Sequence, residues 1–225
     1  MLADRFNFVP ARLVVLASGS GSNLQAILDA CAERRIDAEV AAVVTNNADA
    51  YALARADEAG ITTELVGRTD GEARSDYDTR LADVVSRFEP HWVVLAGWMR
   101  LLTMSFLERF PERVVNLHPA LPGELPGVRA IERAWAEAER GERTRSGVMV
   151  HLVPDEGVDD GPVLASREIP IDASATLESF AATVHATEHS PLVEVLAELC
   201  APPPNPHHAT VTTTSTTTSR EGSSR

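Results

Sequence analysis

Along the chain, short runs of apolar and β-branched residues alternate with longer segments whose apolar positions recur every three to four residues. The runs at 12–18 (RLVVLAS), 38–46 (AEVAAVVTN), 61–66 (ITTELV), 91–97 (HWVVLAG), 114–118 (VVNLH), 147–153 (GVMVHLV) and 161–171 (GPVLASREIPI) read as strands. Segments 22–35, 48–60, 75–88, about 128–140 and about 174–199 read as helices, with Ser75 as an N-cap and Gly60 as a stop. Strands alternating with helices predict an α/β fold, a mostly parallel central sheet with helices on both faces. Residues 1–11 read as a short leader and 12–200 as the folded domain. The stretch 201–225 (APPPNPHHATVTTTSTTTSREGSSR) is low in complexity and apolar content, and is expected to be disordered and dispensable for activity.

Sheets of this kind bind ligands at the carboxyl ends of their strands, and four strand ends carry chemistry. The first, ASGSGSNLQAIL (17–28), joins strand to helix through Gly19, Ser20, Gly21, Ser22 and Asn23. Glycines let the backbone approach an anion, and a helix N-terminus supplies free N–H groups, so a phosphate suits this loop. A tight turn without a ligand is the plainer reading. The loop is neither a dinucleotide fingerprint, since Leu24 stands at the third Gly position, nor a Walker loop. The second end, LAGWMRLL (95–102), sets Trp98, Met99, Leu101 and Leu102 beside Arg100, either as ordinary packing or as a wall for a planar heterocycle.

The third end is VVNLHPALPGELPG (114–127). Asn116 and His118 are two apart in a strand and point the same way. An amide donor beside an imidazole suits carbonyl chemistry: Asn stabilises an oxyanion, His moves a proton or stabilises that charge. The prolines and glycines behind them supply the rigid support that a positioned site requires. A lone His capping a loop is the alternative. The fourth end, HLVPDEGVDDGPVL (151–164), carries Asp155, Glu156, Asp159 and Asp160 between two apolar runs. It reads as a solvated acidic turn, or as the source of a carboxylate that orients His118 and raises its pKa. No metal spacing supports a metal site.

Charge narrows the partners. The formal net charge is −13 and all 20 basic residues are Arg. This argues against a nucleic-acid or membrane surface, while leaving room for a small anionic substrate bound locally. Cys31 and Cys200 are far apart and match no metal motif, so free thiols are expected. With no signal-peptide pattern and no long apolar run, a soluble, cytoplasmic protein is expected.

Taken together, ASGSGSNLQAILDA, VVLAGWMRLL, VNLHPALPGELPG, VHLVPDEGVDDGPVL and ATEH (186–189) resemble, in order and across 12–200, the phosphoribosylglycinamide formyltransferases, folate-dependent enzymes of purine synthesis. The resemblance implies a Rossmann-like formyltransferase fold and formyl transfer from 10-formyltetrahydrofolate to the amine of 5′-phosphoribosylglycinamide, without a metal. It implies that Asn116 and His118 stabilise the tetrahedral oxyanion, and that Asp159 pairs with His118 and keeps it charged. Gly21, Ser22 and Asn23 would hold the phosphate, Glu188 would contact the glycinamide or ribose portion, and Arg74 would lie near that substrate. Arg100, Leu101, Leu102, Val153 and Asp159, with the 152–159 loop, would hold the pteridine. The partners implied are small molecules, with the chain a monomer or homodimer.

Three departures from the family pattern stand out: Pro122 falls one position early with Gly123 where Pro is usual, Arg129 replaces a frequent His, and the acidic loop is one residue longer. The last leaves Asp160 as the alternative to Asp159. Formyltetrahydrofolate deformylase and methionyl-tRNA formyltransferase share the Asn–His–Asp logic. The first carries an N-terminal regulatory domain where about eleven residues precede the first strand here, and the second an RNA-binding C-terminal domain where a Thr/Ser tail stands here. A non-catalytic nucleotide-binding module is the reading from a different class.

Overall fold

The structure, a computed structural model, describes residues 9–202. The rest of the leader (1–8) and most of the tail (203–225) lie outside the described residues. In chain order the elements are β1 (Ala11–Leu16), α1 (Ser22–Ala32), β2 (Ala38–Thr45), α2 (Ala52–Glu58), β3 (Thr63–Leu65), α3 (Arg74–Ser86), β4 (Trp92–Leu95), α4 (Met104–Leu107), β5 (Val114–His118), α5 (Ala130–Glu139), β6 (Arg145–Leu152), β7 (Val163–Pro170) and α6 (Leu177–Leu199).

The strands form one sheet in the order β3-β2-β1-β4-β5-β6-β7. The pairs from β3 through to β5 are parallel, and β5–β6 and β6–β7 are antiparallel. The mostly parallel sheet expected from the alternating pattern is thus present, with an antiparallel end. From β1 the chain first builds outward through β2 and β3, then crosses to β4 on the other side. This reversal opens a crevice at the carboxyl ends of β1 and β4.

Alternation along the buried strands divides the core into two layers. Leu13, Val15, Val115, Leu117 and Val150 face α1 and α6, against Leu24, Ile27, Leu192 and Leu196. Val14, Leu16, Val93, Leu95 and Val114 face α3 and α4, against Tyr77, Leu81, Phe106 and Leu107. A smaller cluster of Trp135, Phe180, Val148 and Ile169 closes the β6–β7 end. Both helical layers are therefore held by apolar burial, leaving the strand ends to carry polar groups.

The structure corrects one local expectation. Ser75 does not cap α3: the helix begins at Arg74 with Ala73 at the cap position, and Ser75 lies in the first turn, its carbonyl accepting from Thr79 Oγ1 (2.9 Å). An extended residue ahead of the helix fixes the chain direction without a side-chain bond, so the Ser pattern misplaces the boundary. The four-residue α4 escaped the sequence analysis because MSFL is too short to show a helical period.

Candidate active site

A cleft of about 480 Å³ lies at the carboxyl ends of the strands. Its lining brings together Gly21, Ser22 and Asn23; Arg100, Leu101 and Leu102; Asn116 and His118; Val153 and Asp159; and Glu188. A larger groove of about 710 Å³ between α1, α2 and α6 holds none of the strand-end carbonyl chemistry. The cleft is therefore the functional candidate.

At its centre, the short β5 delivers Asn116 and the buried His118 together. His118 Nε2 lies 3.0 Å from the Leu125 carbonyl, which marks that nitrogen as protonated, and Nδ1 lies 3.3 Å from Asp159 Oδ2. Asn116 Nδ2 donates to Asp159 Oδ1 (3.1 Å) and lies 3.0 Å from His151 Nε2. The Gly127 N–H donates to Asp159 Oδ2 (2.8 Å). One carboxylate thus ties β5, the turn behind it and the acidic loop together. Asp159 has φ +54°, a left-handed conformation that costs an Asp about 1–3 kcal/mol and is tolerated where surrounding contacts over-determine it. Of the two acidic candidates, the structure places Asp159 in this cluster and leaves Asp160 exposed.

Burial pushes the Asp159 carboxyl up, but contacts from the His151 ring, the Gly127 N–H and His118 outweigh it and hold the group below the usual carboxylate range. Asp159 is therefore ionised at neutral pH. For His118, burial pushes the imidazole pKa down, and it outweighs the opposing pull of Asp159 and the Leu125 carbonyl. Asp159 stands beside the ring, yet the net shift is opposite to the charged imidazole that the resemblance implied. A buried cation costs more than one carboxylate at 3.3 Å returns.

The segment behind β5 is stiff by construction. Left-handed φ values recur at Gly123, Leu125, Gly127 and Arg129. Arg133 on α5 donates to the carbonyls of both Leu125 (2.6 Å) and Pro126 (2.7 Å), so the oxygen that receives His118 is itself clamped. Glu124 pairs with Arg143 and Arg145 from the β6 side. Glu124 and Gly123 follow the shifted Pro122, so ionic anchors hold the turn where the family pattern places a proline. Arg129 caps α5 with φ +57° and lines the cleft.

At one end of the cleft, the 19–23 loop enters α1 through Gly21 at φ +70°. A Cβ there would stand 2.8 Å from Ala52 Cα, so only glycine fits. The Asn23 amide donates to Glu188 Oε2 (2.9 Å), and His185 Nδ1 lies 3.1 Å from the same oxygen. That bond to Glu188 raises the His185 pKa. One hydrogen of the Asn23 side-chain amide is thus committed to Glu188.

The other end is apolar. Leu102 and Trp98 are buried, while Met99 (67% exposed), Leu101 (49%) and Val128 (65%) stand at the mouth. The Arg100 guanidinium lies over the Tyr77 ring at 4.7 Å. The acidic loop is pinned by Glu156, whose carboxylate accepts the Met104 N–H at the start of α4 (2.8 Å). Arg74 is the site candidate that stands outside the lining: it is exposed, and its Nε donates to the Leu101 carbonyl (3.2 Å) behind the apolar wall.

Two histidines of the cleft, His151 and His185, are not signalled by any motif of the sequence. His151 is 2% exposed and sits opposite Asn116 because β5 and β6 pair antiparallel in that register. No sequence period reveals a register between strands. His185, three residues before Glu188 on α6, follows the i,i+3 rule of helices and could have been found from it. Among the described residues, no group of three or more His, Cys, Asp or Glu is placed to hold a metal ion.

A glycine loop after β1 and an Asn–His–Asp cluster at the end of β5, brought into one cleft, are suited to an enzyme acting on a carbonyl group. Residues 11–196 match the family model described as formyl transferase, and the chain belongs to that family. It is 41% identical to phosphoribosylglycinamide formyltransferase of Schizosaccharomyces pombe over 203 residues, covering 84% of this chain and 97% of the relative. It is 40% identical to the Escherichia coli protein of the same name over 183 residues, covering 80% and 84%. Among solved structures, glycinamide ribonucleotide transformylase 1 from Symbiobacterium toebii superposes with a TM-score of 0.80 at 36% identity, covering 86% of this chain and 90% of that one.

Proposed function

We propose that the chain transfers the formyl group of 10-formyltetrahydrofolate to the amine of 5′-phosphoribosylglycinamide, a step of purine synthesis. The observation that carries this reading is the order of surfaces in one cleft. An anion-binding loop lies at one end, an apolar mouth at the other, and Asn116, His118 and Asp159 between them.

The ribose phosphate sits on the N–H groups at the start of α1, at Gly21, Ser22 and Asn23, with Glu188 beside the ribose or glycinamide. The pteridine lies against Leu101, Leu102, Val153 and the acidic loop. The amine lone pair attacks the formyl carbon, and the carbonyl electrons move onto its oxygen. Asn116 Nδ2–H and His118 Nε2–H stabilise that oxyanion, giving up to it the bonds they make to Asp159 and to the Leu125 carbonyl. The neutral His118 ring accepts the proton the amine loses at Nδ1, facing the Asp159 carboxylate 3.3 Å away. The resulting imidazolium is paired as it forms, and the proton passes to the folate nitrogen as its bond to the formyl carbon breaks. The formylated nucleotide and tetrahydrofolate leave.

Deformylation, with water in place of the amine, would use the same three residues but has no use for a phosphate loop in the same cleft. Product analysis tests the reading: incubation with both substrates should yield a nucleotide heavier by one formyl group, with an equal amount of tetrahydrofolate. Free formate with unchanged nucleotide would overturn it.

A further inference from the structure

We propose that Arg55, on α2 and outside the catalytic cleft, is a positioning residue that sets the phosphate loop in its anion-binding shape. It thereby governs affinity for the phosphorylated substrate. The proposal rests on the reading that residues 19–23 hold the ribose phosphate.

A loop that binds an anion through its main chain must turn its N–H groups inward and its carbonyl oxygens away. An oxygen facing the phosphate would repel it. Here three successive carbonyls are drawn outward by donors from one side. Ser18 O accepts from Asn47 Nδ2 (3.2 Å), Gly19 O from the Ala52 N–H (3.1 Å), and Ser20 O from Arg55 Nε (2.9 Å).

Arg55 also donates through Nη1 to Gln25 Oε1 (3.1 Å), on the first turn of α1. One planar guanidinium thus spans the loop and the helix that follows it, fixing the carbonyl of Ser20 relative to the helix N-terminus. Its carbon lies 5.0 Å from the centre of the Tyr51 ring, which holds the plane in place. The contact at Gly21 is part of the same clamp, since a Cβ there would meet Ala52 and, at 3.2 Å, Arg55 Cδ. The chain has no lysine, so this fork is not a generic basic group on a basic surface.

Ordinary packing between α1 and α2 would predict a different outcome on substitution, and kinetics separates the two. The full chain is prepared as wild type, Arg55→Met and Arg55→Lys. For each, kcat and both KM values are measured, with inhibition by inorganic phosphate and the rise in Tm that inorganic phosphate produces. Arg55→Met should raise KM for phosphoribosylglycinamide about tenfold or more, the loss expected of one charge-assisted hydrogen bond. Phosphate inhibition and the phosphate-induced Tm rise should weaken in parallel, while the folate KM and the saturated kcat stay within about twofold. Arg55→Lys should recover only part, because an ammonium cannot bridge Ser20 O and Gln25 as a planar fork does.

An unchanged nucleotide KM in Arg55→Met overturns the proposal. So does an equal loss in both KM values and kcat, which marks a general structural role. Full recovery by Arg55→Lys overturns it in favour of charge alone. If the wild type does not turn over phosphoribosylglycinamide, the substrate reading fails. The Tm response to phosphate, absent or equal in wild type and Arg55→Met, then overturns the Arg55 proposal independently.

Discussion

Replacing Asp159 with Asn separates the role of the carboxylate from the shape of the loop. Its oxygens lie 2.8 Å from the Gly127 nitrogen, 3.1 Å from Asn116 Nδ2, 3.3 Å from His118 Nδ1 and 3.5 Å from His151 Nε2. Asn tolerates the φ of +54° at least as well as Asp, so the backbone has no reason to move. Its one carbonyl oxygen can keep the Gly127 bond. The contact with His118 loses its charge, and an imidazolium formed there during turnover has no counter-ion. A hydrogen bond to a charged group contributes about 1.5–3 kcal/mol, which is the size of the loss. At about 1.36 kcal/mol per decade this lowers kcat roughly 10- to 150-fold. The spectrophotometric rate of folate deformylation with saturating nucleotide reads the change directly. Circular dichroism and Tm should stay near those of the wild type. Asp160→Asn, at an exposed neighbour, should stay within about twofold. Activity of Asp159→Asn within about threefold of the wild type, or a larger loss in Asp160→Asn, would refute the assignment.

Other outcomes follow from the same geometry. His118→Ala should leave the fold nearly intact and remove most turnover, about 10²-fold or more, because an oxyanion donor and the proton acceptor are lost together; full activity in this variant would contradict the mechanism. Arg133→Ala frees the Leu125 and Pro126 carbonyls and should lower kcat more than either KM, a split visible in steady-state kinetics. His118 binds its proton less tightly in the folded chain than in the unfolded one, so its contribution to stability is lost as pH falls below the unfolded value of about 6.5. Asp159, whose folded pKa is also lowered, adds a second loss as pH falls below about 3.9 toward that folded pKa. His185 has the opposite sign, because its folded pKa is raised: its contribution is complete below about 6.5 and fades as pH climbs through the folded value. Urea midpoints across pH for the wild type, His118→Gln and His185→Gln should resolve these opposed slopes.

Much of this architecture can be derived from local pattern. Strand alternation puts Asn116 and His118 on one side, and the position of VVNLH after four β-type runs puts them at a strand end, where the structure has them. The place of the glycine loop is readable because GSGSN falls between a buried strand and an amphipathic helix, and the structure has it at that junction. What escapes are contacts between elements. His151 meets Asn116 through an antiparallel register, and Arg55 reaches a carbonyl 35 residues away. Asp159 and Asp160 are indistinguishable by sequence until the loop's left-handed turn sends one inward. The sign of the His118 shift also depends on burial that no motif encodes: a nearby carboxylate argues for a rise, and the depth of the ring reverses it. Arg74, carried over by position as a residue near the substrate, has its guanidinium on the Leu101 carbonyl, a contact between elements that the motif does not show.

The decisive measurement is the rate of folate release from 10-formyltetrahydrofolate, or its dideaza analogue, by the purified chain with and without phosphoribosylglycinamide. The account predicts release only when the nucleotide is present, with one formylated nucleotide made per folate released. Release at the same rate without the nucleotide, or none under either condition, would contradict it.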